Sequence, residues 1–452
     1  MIGRLSFPTS STLPITAITP PPAFQLSLQF SHLHISTMAS TSVSGPEALV
    51  IPATPGIQYG VESDKECPFS ILLLNDEESL FLIREKDKYG EYPNIYARMV
   101  SETTKSAAFD VSKAKFIVLC DTGCGTNISL QAHPARFDPH GRWNIGSFLE
   151  ATINPKERLP YLIIMSHCHY DHILGIANLP KSTVLSSAYQ KSFITPRSHL
   201  AEHSLCNDLG ILVPDYKVDI WAEDFQELVL KPAGSQSIPT GITILQTPGH
   251  TPDSLSWYDS TLSPPHIFVG DTLYERQSTI TKHGHEPPMP TIFNVDSNLA
   301  DWSESMEKMI KFVRERNLEL GTTASEAEDD WVLVSQPKIR RYDQPRVMLG
   351  AAHVTVAVDA EKCLEEMRDF MNRILQDRVA HCRVNDEKGH EVWLWDDLLD
   401  WETAVYAHQW SVAVGRFSVR APLFVVEKER ERLREQISNS KWNRSRGRAQ
   451  YC

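Results

Sequence analysis

The chain has 452 residues, and 57 acidic against 44 basic side chains leave a formal charge of −13. That balance argues against a protein whose main task is gripping nucleic acid or an anionic membrane. At 41% hydrophobic and 22% charged residues the composition is ordinary for a globular protein, and no run approaches the roughly 18 apolar residues needed to cross a bilayer.

Residues 1–56 are rich in Ser, Thr and Pro and hold one basic residue, Arg4, and one acidic residue, Glu47. Such a segment lacks the clustered apolar side chains needed to fold alone and is expected to be disordered. Met38 offers a second start, so residues 1–37 read as a mis-called start or a targeting segment. A mitochondrial presequence wants several arginines on an amphipathic helix, which Pro20-Pro21-Pro22 interrupts. The eight cysteines are sparse and form no C-x-x-C pair. They point to a reducing, cytoplasmic compartment, or a mitochondrial one if residues 1–37 act as a presequence.

From about Ile57 short β-type runs begin: Phe69 to Asn75, Ser79 to Ile83 and Lys115 to Cys120. Ile145, Phe148, Leu149 and Ile153 share one helical face, and Pro160 to Met165 is again strand-like. Ser182–Ser187, Gly241–Leu245, Leu255–Tyr258 and His266–Val269 read as further strands, followed by an amphipathic helix from about Leu299 to Asn317. An exposed insertion is expected over 318–345, then a strand at Arg346–Gly350 and a helix from Asp359 to Asp377. Strand, helix and strand recur in order, so the expected class is α/β or α+β, in one domain over 57–425 with a charged helical and basic tail over 426–452.

Directly after the Pro160–Met165 run stands Ser166-His167-Cys168-His169-Tyr170-Asp171-His172, an H-x-H-x-D-H pattern. Imidazole and carboxylate suit zinc where a coordination position must stay exchangeable. Further candidates also follow strand-like runs: Asp121 after Lys115–Cys120, His250 in Thr247-Pro-Gly-His250-Thr, Asp271 in Val269-Gly-Asp271-Thr, and His353 in Gly350-Ala-Ala-His353. Strand ends can hold several ligands at one edge of a sheet. Cys168 reads as a small buried side chain rather than a soft ligand. A second pair, His283-Gly-His285, lies in the Pro-rich loop after Asp271, and Tyr170 and Tyr274 each offer a phenol.

In this order the motifs resemble the metallo-β-lactamase superfamily over roughly Ile57 to Pro422. The resemblance implies an αββα sandwich and a dinuclear site with two zinc ions or other divalent metals. His167, His169 and His250 would bind the first metal, Asp171, His172 and His353 the second, and Asp271 would bridge. It also implies that Asp121 orients the ligand loops. The Gly-Ala-Ala-His departure leaves His381 or His390 as alternatives to His353.

Two divalent cations sharing a water make hydrolysis the expected reaction, by attack of a bridging hydroxide on an acyl carbon. The expected catalytic residues are Asp171, Asp121 and, as proton donor, His285. The stretch from Gly270 to Arg276 resembles a lactonase- or lactamase-like branch, often fungal, some members of which are thought to open rings of small xenobiotics. The expected substrate is therefore a small-molecule lactam or lactone, with a thioesterase or glyoxalase-II-like enzyme as the alternative and a non-catalytic metal-binding module as the least favoured. No nucleic-acid or membrane partner is expected.

Overall fold

The computed structural model describes residues 58–59, 67–75, 77, 79–101, 113–125, 143–230, 238–277, 288–321, 346–399 and 415–449. Segment 1–56 and residues 322–345 of the expected insertion lie outside them.

The first half of the chain runs β1 (Gln58–Tyr59), β2 (Phe69–Leu73), β3 (Leu80–Glu85), β4 (Asn94–Ser101), β5 (Ala114–Cys120), α1 (Ile145–Thr152) and β6 (Tyr161–Ile164). There follow α2 (Tyr170–Ile173), β7 (Ser182–Ser187), α3 (Arg197–His203), β8 (Ile220–Ala222), β9 (Glu227–Leu230) and β10 (Ile238–Gln246). The second half holds β11 (Leu255–Asp259), β12 (His266–Phe268), β13 (Thr291–Ile292), α4 (Leu299–Glu319), β14 (Met348–Gly350), β15 (Val358–Asp359) and α5 (Ala360–Leu375). It closes with β16 (His381–Glu387), β17 (His390–Asp396), β18 (Ser418–Pro422) and α6 (Leu423–Ala449).

Strands β1 to β8 form one sheet in sequence order, antiparallel up to β5 and parallel from β5 to β8. A second sheet has the order β15-β14-β12-β11-β10-β9, and a third β13-β18-β17-β16.

The strand residues explain why two sheets stack. In β5, Ile117 and Leu119 join an apolar layer with Ile145, Phe148 and Leu149 of α1. Their neighbours Phe116, Val118 and Cys120 join a different layer with Ile242, Ile244, Trp257 and Phe268 of the second sheet. A strand buried on both faces must be apolar at every position, which is why these runs do not alternate with polar residues. On the far side, Leu245, Ile267 and Leu349 meet Trp302, Met306, Ile310, Leu364, Met367 and Phe370 of α4 and α5. Three apolar layers separate helix, sheet, sheet and helix, giving the expected αββα sandwich.

Helices α4 and α5 begin where their caps dictate. The Asn298 side chain accepts hydrogen bonds from the backbone N–H groups of Ala300 and Asp301, and the Asp359 carboxylate accepts one from Lys362 N. The charged stretch 427–434 continues α6, whose Val425 and Val426 are buried beside α4 and α5. Strand β4 and the whole third sheet have no counterpart in the sequence reading. Among the described residues no helix is long and apolar enough to cross a membrane.

Candidate metal centre

The H-x-H-x-D-H stretch leaves β6 at Ile164 and turns into α2, so His167 and His169 lie on the turn and Asp171 and His172 in the helix. His250 follows the end of β10, Asp271 the end of β12 and His353 the end of β14, so each stands beyond the C-terminal end of its strand. Two glycines make the close approach possible. At Gly249, φ is +144° and a Cβ would lie 2.4 Å from the Trp302 backbone. At Gly270, φ is +55° and a Cβ would lie 2.6 Å from the Ser166 Cβ. Neither position tolerates a side chain without moving the residue that follows it, His250 or Asp271.

The donor atoms converge in two buried groups, His167, His169 and His250 in one and Asp171, His172, Asp271 and His353 in the other. In the first, His169 Nδ1 lies 2.9 Å from His167 Nε2 and 3.0 Å from His250 Nε2. In the second, Asp171 Oδ2 lies 3.1 Å from His172 Nε2 and 3.2 Å from His353 Nε2. Asp271 Oδ2 touches both groups: it is 3.4 Å from His353 Nε2, 3.6 Å from His172 Nε2, 3.9 Å from His250 Nε2 and 4.0 Å from His167 Nε2. Two ligand atoms on one tetrahedral ion with bonds of about 2.0–2.1 Å stand roughly 3.3–3.4 Å apart. The observed separations, from 2.9 to 4.0 Å, bracket that spacing.

The outward nitrogen of each imidazole is engaged. His250 Nδ1 donates to the Ile292 carbonyl at 2.8 Å and His353 Nδ1 to the Glu91 carbonyl at 2.8 Å. His172 Nδ1 lies 3.1 Å from Asp121 Oδ2, and His169 Nε2 lies 2.9 Å from the Asn294 side-chain amide. Ser166 spends its one hydroxyl proton on Asp121 Oδ2 at 2.7 Å, so at 3.0 Å it accepts from His167 Nδ1. For His167, His172, His250 and His353 this leaves Nε2 facing the cluster, as a metal requires. His172 Nε2 and Asp271 Oδ1 are buried without a hydrogen-bond partner. Orphaned buried donors and acceptors at converging imidazoles and carboxylates fit a divalent cation.

Asp121 also accepts the Ser166 backbone N–H at 2.7 Å and sits at φ +63°. Its carboxylate thus ties the start of the histidine turn to His172, at the cost of a backbone conformation few non-glycine residues adopt.

The two groups differ electrostatically. Burial, and then the neighbouring imidazoles His172, His169 and His250, hold His167 well below the ordinary histidine value. Burial and His250 push His169 down to about 3, and burial lowers His250. In the second group burial opposes charge, yet the carboxylates prevail: Asp171 and Asp271 hold His172 well above its ordinary value, and Asp271 and Asp171 push His353 up to about 10. Burial works against ionisation of Asp171 and Asp271 as well, but His172 and His353 keep both carboxyls well below the usual range. The first group is a neutral trio and the second a set of paired charges.

Of the other candidates, His285 lies outside the described residues. His381 and His390 belong to β16 and β17 and are exposed, away from the groups that His353 joins. Cys168 is fully buried in the helix-side core and is not among the converging atoms. Tyr170 donates to a Glu91 carboxylate oxygen, whereas the Tyr274 hydroxyl is buried without a partner, its ring centroid 5.3 Å from that of His353. Sequence reasoning missed Glu91, Asn294 and the Ile292 carbonyl. None of the three sits in a ligand motif; Asn294 and Ile292 precede the Asn298 cap of α4, and Glu91 lies in an ordinary-looking turn.

The metallo-β-lactamase superfamily model matches residues 111–317. That match spans somewhat less than half of the chain and shows what this segment is similar to. Over 238 residues it is 27% identical to "Putative transcription factor avaE" of Aspergillus versicolor, a match covering 50% of this chain and 62% of that one. The chain thus spans less than two thirds of the curated relative's length. Among solved structures, a metallo-β-lactamase family protein of Thermus thermophilus is 16% identical with a TM-score of 0.36, covering 73% of this chain and 87% of that one. An archaeal superfamily protein of Sulfolobus tokodaii is 17% identical with a TM-score of 0.33, covering 66% and 86%. An N-acyl homoserine lactone hydrolase is 16% identical with a TM-score of 0.29, covering 50% and 78%.

Proposed function

We propose that this chain is a zinc-dependent hydrolase that opens a cyclic ester or amide of a small molecule. The observation that carries the reading is the Asp271 carboxylate within 4.0 Å of one histidine group and 3.6 Å of the other, the placement a shared ligand of two ions needs. His167, His169 and His250 would hold one ion, and Asp171, His172 and His353 the other. Bound zinc supplies Lewis acidity, making a water nucleophilic near neutral pH and polarising an acyl carbonyl. The chain's own residues do the rest. Asp121 fixes the ring of His172 and the backbone of the histidine turn, and Asp171 and Asp271 remain ionised to balance the cations. His285, which follows Asp271 in the sequence, is the proposed proton donor to the leaving group.

A ring ester or amide is favoured over a glutathione-type thioester by the pairing of two arginines on α5. Arg368 on α5 meets Glu307 at 3.3 Å, and Arg373 meets Asp397 at 2.7 Å, so neither is free to receive substrate carboxylates. The net charge of −13 likewise favours a small molecule over nucleic acid.

The test is acid release in a pH-stat from zinc-loaded protein given a γ-lactone, a bicyclic lactam and S-lactoylglutathione, with and without chelator. Chelator-sensitive ring opening supports the proposal. Cleavage of the thioester alone replaces it with the thioesterase reading, and silence on all three refutes this substrate class.

A further inference from the structure

We propose that Glu91 reads the charge of the substrate: its carboxylate accepts a hydrogen bond from an ammonium or N–H group carried beside the acyl bond to be cleaved. The inference rests on the hydrolase reading and adds a substrate class to it.

Glu91 lies in the turn between β3 and β4, and that turn is rigidly built. The Asp87 carboxylate accepts the backbone N–H groups of Tyr89 at 2.6 Å, Gly90 at 2.9 Å and Tyr92 at 2.7 Å, closing the turn on a buried acceptor. The Glu91 carbonyl receives the Nδ1–H of His353 at 2.8 Å, so the residue is tethered to a member of the metal-binding group. One carboxylate oxygen receives the Tyr170 hydroxyl. Tyr170 is itself fixed, its backbone N–H on the Ser204 carbonyl at 2.9 Å and its ring edge-on to Tyr89, 5.2 Å between centroids. The second oxygen of Glu91 meets no protein donor among the described residues, and the side chain is only half-buried, so it is open to a ligand.

The positive neighbour of the Glu91 charge at the site is His353, whose place bound cations would take in the zinc-loaded protein. Glu91 stands close enough to Asp171 for the two carboxylates to repel, and the guanidinium in its neighbourhood, Arg420, is already bound to Glu387 and Asn385. A carboxylate held by its backbone and one hydroxyl, with its second oxygen free among the described residues, creates a place for a donor or cation. Substrates with an ammonium or N–H next to the acyl group are therefore preferred over neutral rings.

The experiment is calorimetric titration of full-length, zinc-loaded protein near neutral pH and low ionic strength with three rings of one size. They are 3-aminopyrrolidin-2-one, pyrrolidin-2-one and pyroglutamate, bearing an ammonium, no charge and a carboxylate. In the wild type the ammonium ring is expected to bind about tenfold tighter than the neutral ring, the scale of one charge-assisted hydrogen bond at a partly buried site, with pyroglutamate, whose carboxylate can meet the zinc, as the control. Glu91→Gln, checked for zinc content and unfolding midpoint, brings the ammonium-to-neutral ratio to about one. Glu91→Asp, which keeps the charge but withdraws it, falls between and serves if the Gln variant does not fold. A ratio unchanged in Glu91→Gln, or a wild type that binds the rings alike or none of them, overturns the proposal. Hydrolysis of the matching lactones is followed on the same samples. A protein that cleaves no lactone yet shows a preference that Glu91→Gln erases refutes the reaction and leaves the charge reader standing.

Discussion

Stripping the metals and returning them one equivalent at a time tests the electrostatic division of the site. The neutral trio of His167, His169 and His250 holds no proton near neutral pH, so a cation entering it displaces none. His172 and His353 are protonated in the metal-free protein, and both must lose their protons before Nε2 can bind a cation. With His353 pushed up to about 10, freeing its nitrogen at pH 7 spans three units, about 4 kcal/mol or a thousandfold in affinity. His172 adds to this in the same direction. The second equivalent of zinc is therefore expected to bind far more weakly than the first near neutral pH, and to tighten by one to two decades for each unit of rising pH. Calorimetry in buffers of different ionisation heat measures the protons directly: about none for the first equivalent and about two for the second. Two equivalents that release equal numbers of protons, or a second site whose affinity ignores pH, would refute the reasoning.

The same shifts govern the stability of the stripped protein. The raised His172 and His353 contribute stability that is whole below the ordinary histidine value of about 6.5 and, for His353, is lost as pH rises through about 10. The lowered Asp171 and Asp271 contribute above about 3.8, and the lowered trio His167, His169 and His250 contributes above about 6.5 and loses its share as pH falls below that value, so thermal unfolding of the stripped protein should show its maximum at about pH 6.5. His169→Ala is expected to reduce hydrolysis at least a hundredfold while the circular dichroism spectrum stays native; retained activity would dismiss the site assignment. Asp121→Asn weakens the hold on His172 and on Ser166, and zinc affinity of the second equivalent should fall about 10- to 100-fold in competition with a chelating dye. Gly249→Ala forces a Cβ to 2.4 Å from the Trp302 backbone at φ +144°, and a loss of about 2–4 kcal/mol is expected in denaturant unfolding. An unchanged midpoint would mean that the turn before His250 is looser than described.

The layer architecture was legible in the sequence because burial on both faces leaves a mark that survives without coordinates: uninterrupted apolar runs such as Ile117 to Cys120 and Leu162 to Met165. The ligands were legible for a related reason, since imidazole and carboxylate at strand ends have little structural purpose in such density. Strand β4 escaped because Arg98 and Asn94 interrupt its apolar pattern, and only the fold shows Arg98 meeting Asp259 of β11 at 3.0 Å. The third sheet escaped because β16 is exposed nearly throughout, and its strands take their order from pairing across distant segments. Local composition alone determined which atoms can bind metal. Only the tertiary structure decided which of them meet, that Asp271 lies between the two groups, that His353 rather than His381 or His390 completes the second, and that Glu91 stands at its edge. Those are distances between residues up to 262 positions apart, and spacing along a chain carries no information about them until the sheets are stacked.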